Sequence, residues 1–137
     1  MSLFVDTSAF YAVVDDDDSH FSRAKELLSV EEPLITTAFV VSETWRLARD
    51  RLGHTVAERF WAGLRAGAAT VEHVTPADLD AAWAIGEAFA DQEFSLVDRT
   101  SFAAMERLGV HRAVAFDDDF AVYRFGPRRD RAFEVLR

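Results

Sequence analysis

The order of apolar and polar positions predicts strands that alternate with helices along the whole chain. Short apolar runs predict strands at residues 3–5, 33–36, 69–74, 112–116 and 133–136. Apolar residues three or four positions apart predict helices at residues 9–14, 21–30, 38–52, 56–64, 76–89 and 95–108. This alternation is typical of an α/β fold, in which helices cover both faces of a mainly parallel sheet.

Residues that favour the start or the end of a helix support these boundaries. Asp6 opens a run of short polar side chains after the first predicted strand, which favours a helix start. Gly53 and Gly109 follow two predicted helices, and Pro76 stands at a favoured first-turn position. The sequence contains no repeat and no linker, so we expect a single domain over residues 1–137.

The composition excludes several classes of protein. Half of the residues are apolar, including twelve Phe and three Trp, which is enough for a packed core. The absence of cysteine excludes disulfides and thiolate chemistry, and it fits the reducing cytoplasm that we expect. No apolar run reaches the roughly 18 residues of a membrane span, so we expect no membrane contact. The net charge of −9 disfavours non-specific binding of a polyanion, unless acidic side chains hold cations.

Two acidic residues directly follow predicted strands. Asp6 comes after residues 3–5, and Asp117 comes after residues 112–116, with Asp118 and Asp119 behind it. Each of the two has an ordinary alternative role as the N-cap of a following helix. In a parallel sheet both would nevertheless reach the carboxyl edge, where active sites of α/β proteins lie.

Two further acids occupy helical positions that are expected to face inward. Glu43 has Phe39, Val40 and Leu47 at helical spacing, and an apolar stripe is a costly place for an unpaired carboxylate. The alternative for Glu43 is a surface ion pair with Arg46.

Asp98 shares a predicted face with Ser101, Phe102 and Met105, so its carboxyl group is expected to point inward. Its alternative is a capping box with Ser95, although Glu or Gln is the usual last member of that motif.

Four converging carboxylates would repel one another unless cations neutralise them. Oxygen ligands select hard ions such as Mg²⁺ or Mn²⁺, which activate water for attack on a phosphodiester. None of the histidines has the spacing of a metal ligand pair; they are His20, His54, His73 and His111. The sequence therefore predicts a carboxylate metal site formed by Asp6, Glu43, Asp98 and Asp117.

Four segments in register resemble the PIN-domain nucleases, and within them the VapC-type toxins. Residues 3–10 resemble the opening strand of the family with its first acid, and residues 42–43 match the helix with its Glu. Residues 95–103 are similar to the third motif, and residues 115–120 to the terminal motif. In the terminal motif the first acid, Asp117, is the one usually counted, while the spacing leaves Asp119 open.

The resemblance implies a three-layer α/β/α sandwich and an Mg²⁺-dependent endoribonuclease, with Mn²⁺ able to substitute. It also implies an RNA substrate, a cognate antitoxin that inhibits the enzyme, and a homodimer. A catalytically degenerate domain that only binds protein is the alternative. Supporting roles fall to five residues that adjoin the acids: Thr7, Ser8, Arg99, Ser101 and Asp119. Trp45 and Trp61 are expected to lie in the core.

Overall fold

The structure is a computed structural model that describes residues 1–137, and its centre is a five-stranded, wholly parallel sheet. The strands are β1 (Leu3–Val5), β2 (Leu34–Thr37), β3 (Thr70–Glu72), β4 (Arg112–Val114) and β5 (Glu134–Leu136). Their order across the sheet is β3-β2-β1-β4-β5. Phe4 pairs with Ile35 of β2 on one side and with Ala113 of β4 on the other. The predicted parallel α/β fold is confirmed.

Seven helices connect the strands. They are α1 (Thr7–Val14), α2 (Phe21–Leu28), α3 (Ala38–Leu52), α4 (His54–Arg65), α5 (Pro76–Ala88), α6 (Leu96–Leu108) and α7 (Asp119–Val122). Helix α3 has the predicted bounds, and its start is capped by the Thr37 hydroxyl, which accepts a hydrogen bond from the Val40 N–H. Gly109 ends α6 with a φ of 68°, a left-handed conformation that favours glycine. The short helix α7 was not predicted. No helix has both the length and the apolar character that a bilayer span requires.

The helices form two packed groups, one for each face of the sheet. Helix α1 packs against α2 and α3, and α3 packs against α4; α5 packs against α6, which also contacts α3. Right-handed crossovers between parallel strands place the first group on one face and the second on the other. The direction of the chain across the sheet reverses between β1 and β4, which is where α/β proteins bind ligands.

The core surrounds β1 and continues into an aromatic cluster beside α6. All three residues of β1 are at most 1% exposed. Phe102 of α6 stacks on Tyr123 with ring centroids 4.3 Å apart, and it meets Phe120 edge-on at 4.9 Å. Burying one such ring stabilises the fold by about 1.5–3 kcal/mol. This packing fixes α6, which carries Asp98, against the segment that follows Asp117.

An ion pair between buried Asp78 and exposed Arg107 joins the start of α5 to the end of α6. Asp78 is 2% exposed and accepts hydrogen bonds of 2.9 and 3.0 Å from the Arg107 guanidinium. Asp78 also completes a capping box with Thr75 at the start of α5. Burial raises the pKa of Asp78, but these hydrogen bonds outweigh it and hold the pKa below its usual value. This buried acid therefore stabilises the helix pair.

Candidate metal centre

Three of the four predicted acids meet at the carboxyl edge of the sheet. Asp6 follows β1, Asp117 follows β4, and Asp98 lies in the first turn of α6. Each offers a carboxylate oxygen, and these oxygens all lie within 4.8 Å of one another. Because β1 and β4 are neighbours, the acids that follow them are delivered to the same point at the reversal of strand order.

Asp6 is buried and tightly held. It is 2% exposed, and its Oδ2 accepts a 2.9 Å hydrogen bond from the Ser8 hydroxyl. The same Ser8 oxygen accepts a 2.9 Å hydrogen bond from the Phe116 N–H. Asp6 is thus both the N-cap of α1 and a member of the acidic cluster, and the Ser8 hydroxyl holds its carboxylate in place. The link to Phe116 joins the ends of β1 and β4.

Asp98 points into the protein, as the helical pattern predicted. It is 8% exposed, while Ser101 and Phe102 on the same face are fully buried. The Ser95 hydroxyl accepts a hydrogen bond from the Asp98 N–H at 3.0 Å, which is half of a capping box. The reciprocal bond from the Ser95 N–H is absent. The Asp98 carboxylate is therefore free to join the acidic cluster.

Asp117 forms the open side of the cluster, and Asp119 lies beside it. Asp117 as a whole is exposed, and its Oδ1 accepts a 3.1 Å hydrogen bond from the Asp119 N–H. The Asp119 carboxylate lies close enough to accept a hydrogen bond from protonated Asp98. Of the two alternatives that the sequence left open, Asp117 lies in the group of three oxygens, and Asp119 adjoins it through Asp98.

Asp6 and Asp98 retain protons near neutral pH in the absence of a cation. Burial, followed by the negative charge of Asp117, raises the pKa of Asp6 to about 7. Burial raises the pKa of Asp98 to about 8, with contributions from the hydrogen bond to Asp119 and the neighbouring charges. Burial of its carboxyl group also raises the pKa of Asp117. A hard divalent cation fits this donor set, because it would bind the oxygens and remove their repulsion.

Two hydroxyl groups beside the acids have no hydrogen-bond partner. Thr7 Oγ1 and Ser101 Oγ are both buried, and neither forms a hydrogen bond within the protein. Thr7 follows Asp6 in the chain, and Ser101 lies one helical turn after Asp98. Buried hydroxyls usually have partners, so these two are available to water or to groups bound at the cluster.

Glu43 is not part of the group of three. Its side chain is exposed, so the expectation that it faces inward is wrong. The buried row of α3 is Val40, Thr44 and Ala48, one position away from Glu43. The polar Thr44 can be buried in this row because its hydroxyl donates a 2.8 Å hydrogen bond to the Val40 carbonyl. The role of Glu43 as a metal ligand stays a prediction.

Arg99 contacts the neighbouring helix α5. Its guanidinium donates hydrogen bonds to the carbonyls of Ala82 at 3.3 Å and of Ser95 at 3.4 Å. Gly86 makes room for it, since a Cβ there would collide with Arg99 Nη1. In this arrangement Arg99 supports the start of α6, where Asp98 lies.

The sequence reasoning did not find the link from Ser8 to Phe116. These residues are 108 positions apart, so no local pattern contains the contact. The only signal for the contact was that each residue follows a strand. Whether these two strands are neighbours depends on the topology, which the sequence pattern does not give. Trp61 was expected in the core but is 47% exposed, and it lines an apolar groove with the half-buried Trp45.

Comparisons with known proteins agree with this geometry. Residues 3–126 match the PIN domain family. The chain is 39% identical over 125 residues to the 23S rRNA-specific endonuclease VapC20 of Mycobacterium tuberculosis, covering 90% of this chain and 95% of the relative. The crystal structure of that organism's VapC20, described as a sarcin-ricin loop cleaving toxin, matches with a TM-score of 0.81 at 37% identity, over 87% of this chain and 92% of the other.

A more distant structure shares the fold alone. It is a toxin–antitoxin complex from Klebsiella pneumoniae, with a TM-score of 0.68 at 14% identity, over 88% of this chain and 91% of the other. The family predicted from four short motifs is therefore confirmed by matches that span most of the chain. The protein belongs to the PIN-domain family and, within it, to the VapC type.

Proposed function

We propose that this protein is an Mg²⁺-dependent endoribonuclease and the toxic component of a type II toxin–antitoxin pair. The observation that carries the proposal is the convergence of Asp6, Asp98 and Asp117 within 4.8 Å at the reversal of strand order. A structural role alone does not explain three acids with raised pKa values at one point. Because the proposed substrate is RNA, we also propose that the protein acts in the cytoplasm.

The three carboxylates would hold the cation, with Mn²⁺ able to replace Mg²⁺. Bound Mg²⁺ would neutralise the cluster, activate a water molecule and stabilise charge on the phosphate. Ser8 orients the Asp6 carboxylate, and the packed start of α6 fixes Asp98. Asp117 leaves one side of the cluster open for the RNA backbone. Because Asp6 and Asp98 hold protons near neutrality, cation binding releases protons and strengthens as pH rises.

We propose a structured ribosomal RNA loop as the substrate. The support is the relative that is 39% identical over nearly its whole length and is named as specific for 23S rRNA. RNA-specific proteins read such targets through shape and through unpaired bases in loops. The test is incubation of the purified protein with ribosomes and with total RNA, in Mg²⁺ or EDTA, followed by mapping of the cut ends.

A single defined cut in 23S rRNA that requires Mg²⁺ is the expected result. The Asp98→Asn variant, prepared in the same way, is the control for contaminating nucleases. Cleavage that persists in EDTA, or in this variant, would contradict the proposal.

Glu43 is proposed as a fourth ligand that completes the cluster through its long, exposed side chain. We expect Glu43→Gln to lower Mn²⁺ affinity and cleavage by about 10- to 100-fold, the range seen for groups that support metal ligands. The measurement is Mn²⁺ titration by calorimetry alongside cleavage assays. Glu58→Gln is the matched control on the neighbouring helix α4, because its side chain is also exposed. Equal effects of the two substitutions would show that Glu43 is not a metal ligand.

We propose that an antitoxin docks in the apolar groove between α3, α4 and β3. The groove has a volume of about 630 Å³ and is lined mainly by apolar residues, among them Val41, Trp45, Trp61, Leu64 and Val71. The indole N–H of Trp45 is buried there without a partner. Peptide helices bind such grooves through their apolar face. A basic side chain of the same peptide would pair with the carboxylates around Asp6 and Asp98.

Antitoxin binding is expected to weaken as Mg²⁺ rises at constant ionic strength, because the cation and the basic side chain compete for the same oxygens. Calorimetry across the titration measures this competition. Trp61→Ser should lower affinity at every Mg²⁺ concentration, whereas Trp83→Ser on α5 should leave it unchanged. Affinity that stays flat across the titration would leave steric blocking of the groove as the mode of inhibition.

We further propose a homodimer. Leu79 and Trp83 lie one turn apart on α5 and are 42% and 71% exposed, and Leu96 at the start of α6 is 51% exposed. Exposed apolar surface of this kind marks interaction sites. Light scattering at tens of micromolar protein is expected to give twice the chain mass of 15.4 kDa, and Trp83→Ser to reduce it. A monomer mass for the unmodified protein would reject the dimer.

A further inference from the structure

His20 lies flat against Phe116, the residue that precedes Asp117. The two ring centroids are 4.4 Å apart, and the ring planes differ by only 6°. His20 is exposed and Phe116 is half-buried. No other aromatic ring packs against His20, and no hydrogen bond or ion pair involves its imidazole. One face of the imidazole is therefore covered and the rest is open to solvent.

The two rings are held in place from both sides. The Phe116 N–H donates a 2.9 Å hydrogen bond to the Ser8 hydroxyl, which in turn donates to Asp6. The His20 N–H donates a 2.8 Å hydrogen bond to Asp18 Oδ1. Phe116 is thus connected to the acidic cluster through its backbone, and the stack places His20 beside the same cluster.

Positive charge lies on the same side of the cluster. The Arg137 guanidinium donates to Asp118 Oδ1 at 2.8 Å and to the Asp117 carbonyl at 3.4 Å. Arg23, one turn after His20 on α2, donates to the Arg137 carbonyl at 3.4 Å. Each guanidinium is already paired with an acid, Arg23 with Glu26 and Arg137 with Asp118, but the two arginine side chains are 46% and 41% exposed and so remain accessible to phosphate groups.

We propose that the open face of His20 receives an unpaired base of the RNA, next to the bond that is cut. Phe116, His20 and the base would form one continuous stack, with Arg23 and Arg137 close to the adjoining phosphates. Aromatic side chains bind unpaired bases in this manner with little dependence on sequence. The inference rests on the proposed ribonuclease function and makes His20 a substrate-binding residue of the same site.

The test uses a single-stranded oligoribonucleotide with a central 2-aminopurine, whose fluorescence falls when the base stacks. The protein carries Asp98→Asn to prevent cleavage. We expect His20→Ala to weaken binding about tenfold and to abolish the quenching, because a stacked base loses its partner. His20→Phe keeps a flat ring and should restore both signals. Thermal melting of each variant verifies that the fold is retained.

His111→Ala is the matched control. His111 is also exposed and also packs on a phenylalanine, Phe125, with centroids 4.9 Å apart. It precedes β4 and so lies at the opposite edge of the sheet from the acids. Its substitution should leave binding unchanged.

The inference is overturned if the His20→Ala variant binds and quenches the probe as well as the protein with His20 does. It is also overturned if the protein with His20 binds the probe without quenching its fluorescence. Cleavage by the wild-type protein is measured separately. A protein that cuts RNA but does not stack the probe on His20 refutes only this inference. A protein that stacks the probe but cuts no RNA refutes only the proposed function.

Discussion

Replacing Asp98 by asparagine is expected to reduce RNA cleavage by about a thousandfold or more. A bound cation contributes several kcal/mol of charge stabilisation in the transition state, and each 1.4 kcal/mol is worth about a factor of ten in rate. Asp98 is one of three groups that would hold that cation. The measurement is single-turnover cleavage of the mapped RNA at saturating Mg²⁺.

The same substitution is expected to leave the metal-free protein as stable as before, or more stable. Asparagine keeps the size of the side chain and removes a buried carboxyl group that must either hold a proton or repel its neighbours. The N-cap hydrogen bond uses the backbone N–H of residue 98 and the Ser95 hydroxyl, so it survives the change. Melting curves in EDTA measure this. A clear loss of metal-free stability would support a capping role for the Asp98 side chain instead.

The metal-free protein is expected to lose several kcal/mol of stability as the pH rises from about 4 to 8. In the folded state burial and neighbouring carboxylates raise the pKa of Asp6 to about 7 and that of Asp98 to about 8, well above the usual range of an aspartate. Between these values the folded state binds more protons than the unfolded state, so the free energy of unfolding falls with rising pH. Each unit of pKa shift corresponds to about 1.4 kcal/mol.

Denaturant unfolding in EDTA at a series of pH values measures this loss. Addition of Mg²⁺ at pH 8 should recover the stability, because the cation replaces the protons. Asp98→Asn should flatten the profile. Asp78→Asn is the control and should keep the loss of stability between pH 4 and 8. The pKa of Asp78 is lowered in the folded protein, so its protonation changes only in acid. A flat profile for the unmodified protein would show that the carboxylates are already ionised without a metal.

Strand and helix positions were largely predictable because the local signals agree. Helix α3 begins at a threonine cap and ends before Gly53, and the apolar period between them is unbroken. Helix α7 was missed because it has only four residues, too few for a helical period to appear. Two of the predicted strands extended beyond the paired residues, since apolar character continues into the turns that follow.

The site was predictable where chain position or a clear helical face determines it. Asp6 and Asp117 follow strands, so a parallel sheet brings them to one edge. The face of Glu43 was misread because apolar residues surround it, whereas the buried row contains Thr44, whose hydroxyl is satisfied within the helix. The stacking of His20 on Phe116 joins two turns far apart in the chain, and neither residue carries a local signal for it.

The arrangement of the strands has a consequence for the order of events during synthesis. The acids lie at positions 6, 98 and 117, and β4, which fills the place beside β1, begins at Arg112. A nascent chain that has not reached these residues has no assembled cluster. The apolar groove, in contrast, is built entirely from residues 38–71. The groove proposed for the antitoxin therefore emerges from the ribosome before the site that would cut RNA, so the inhibitor can bind before the enzyme is able to act.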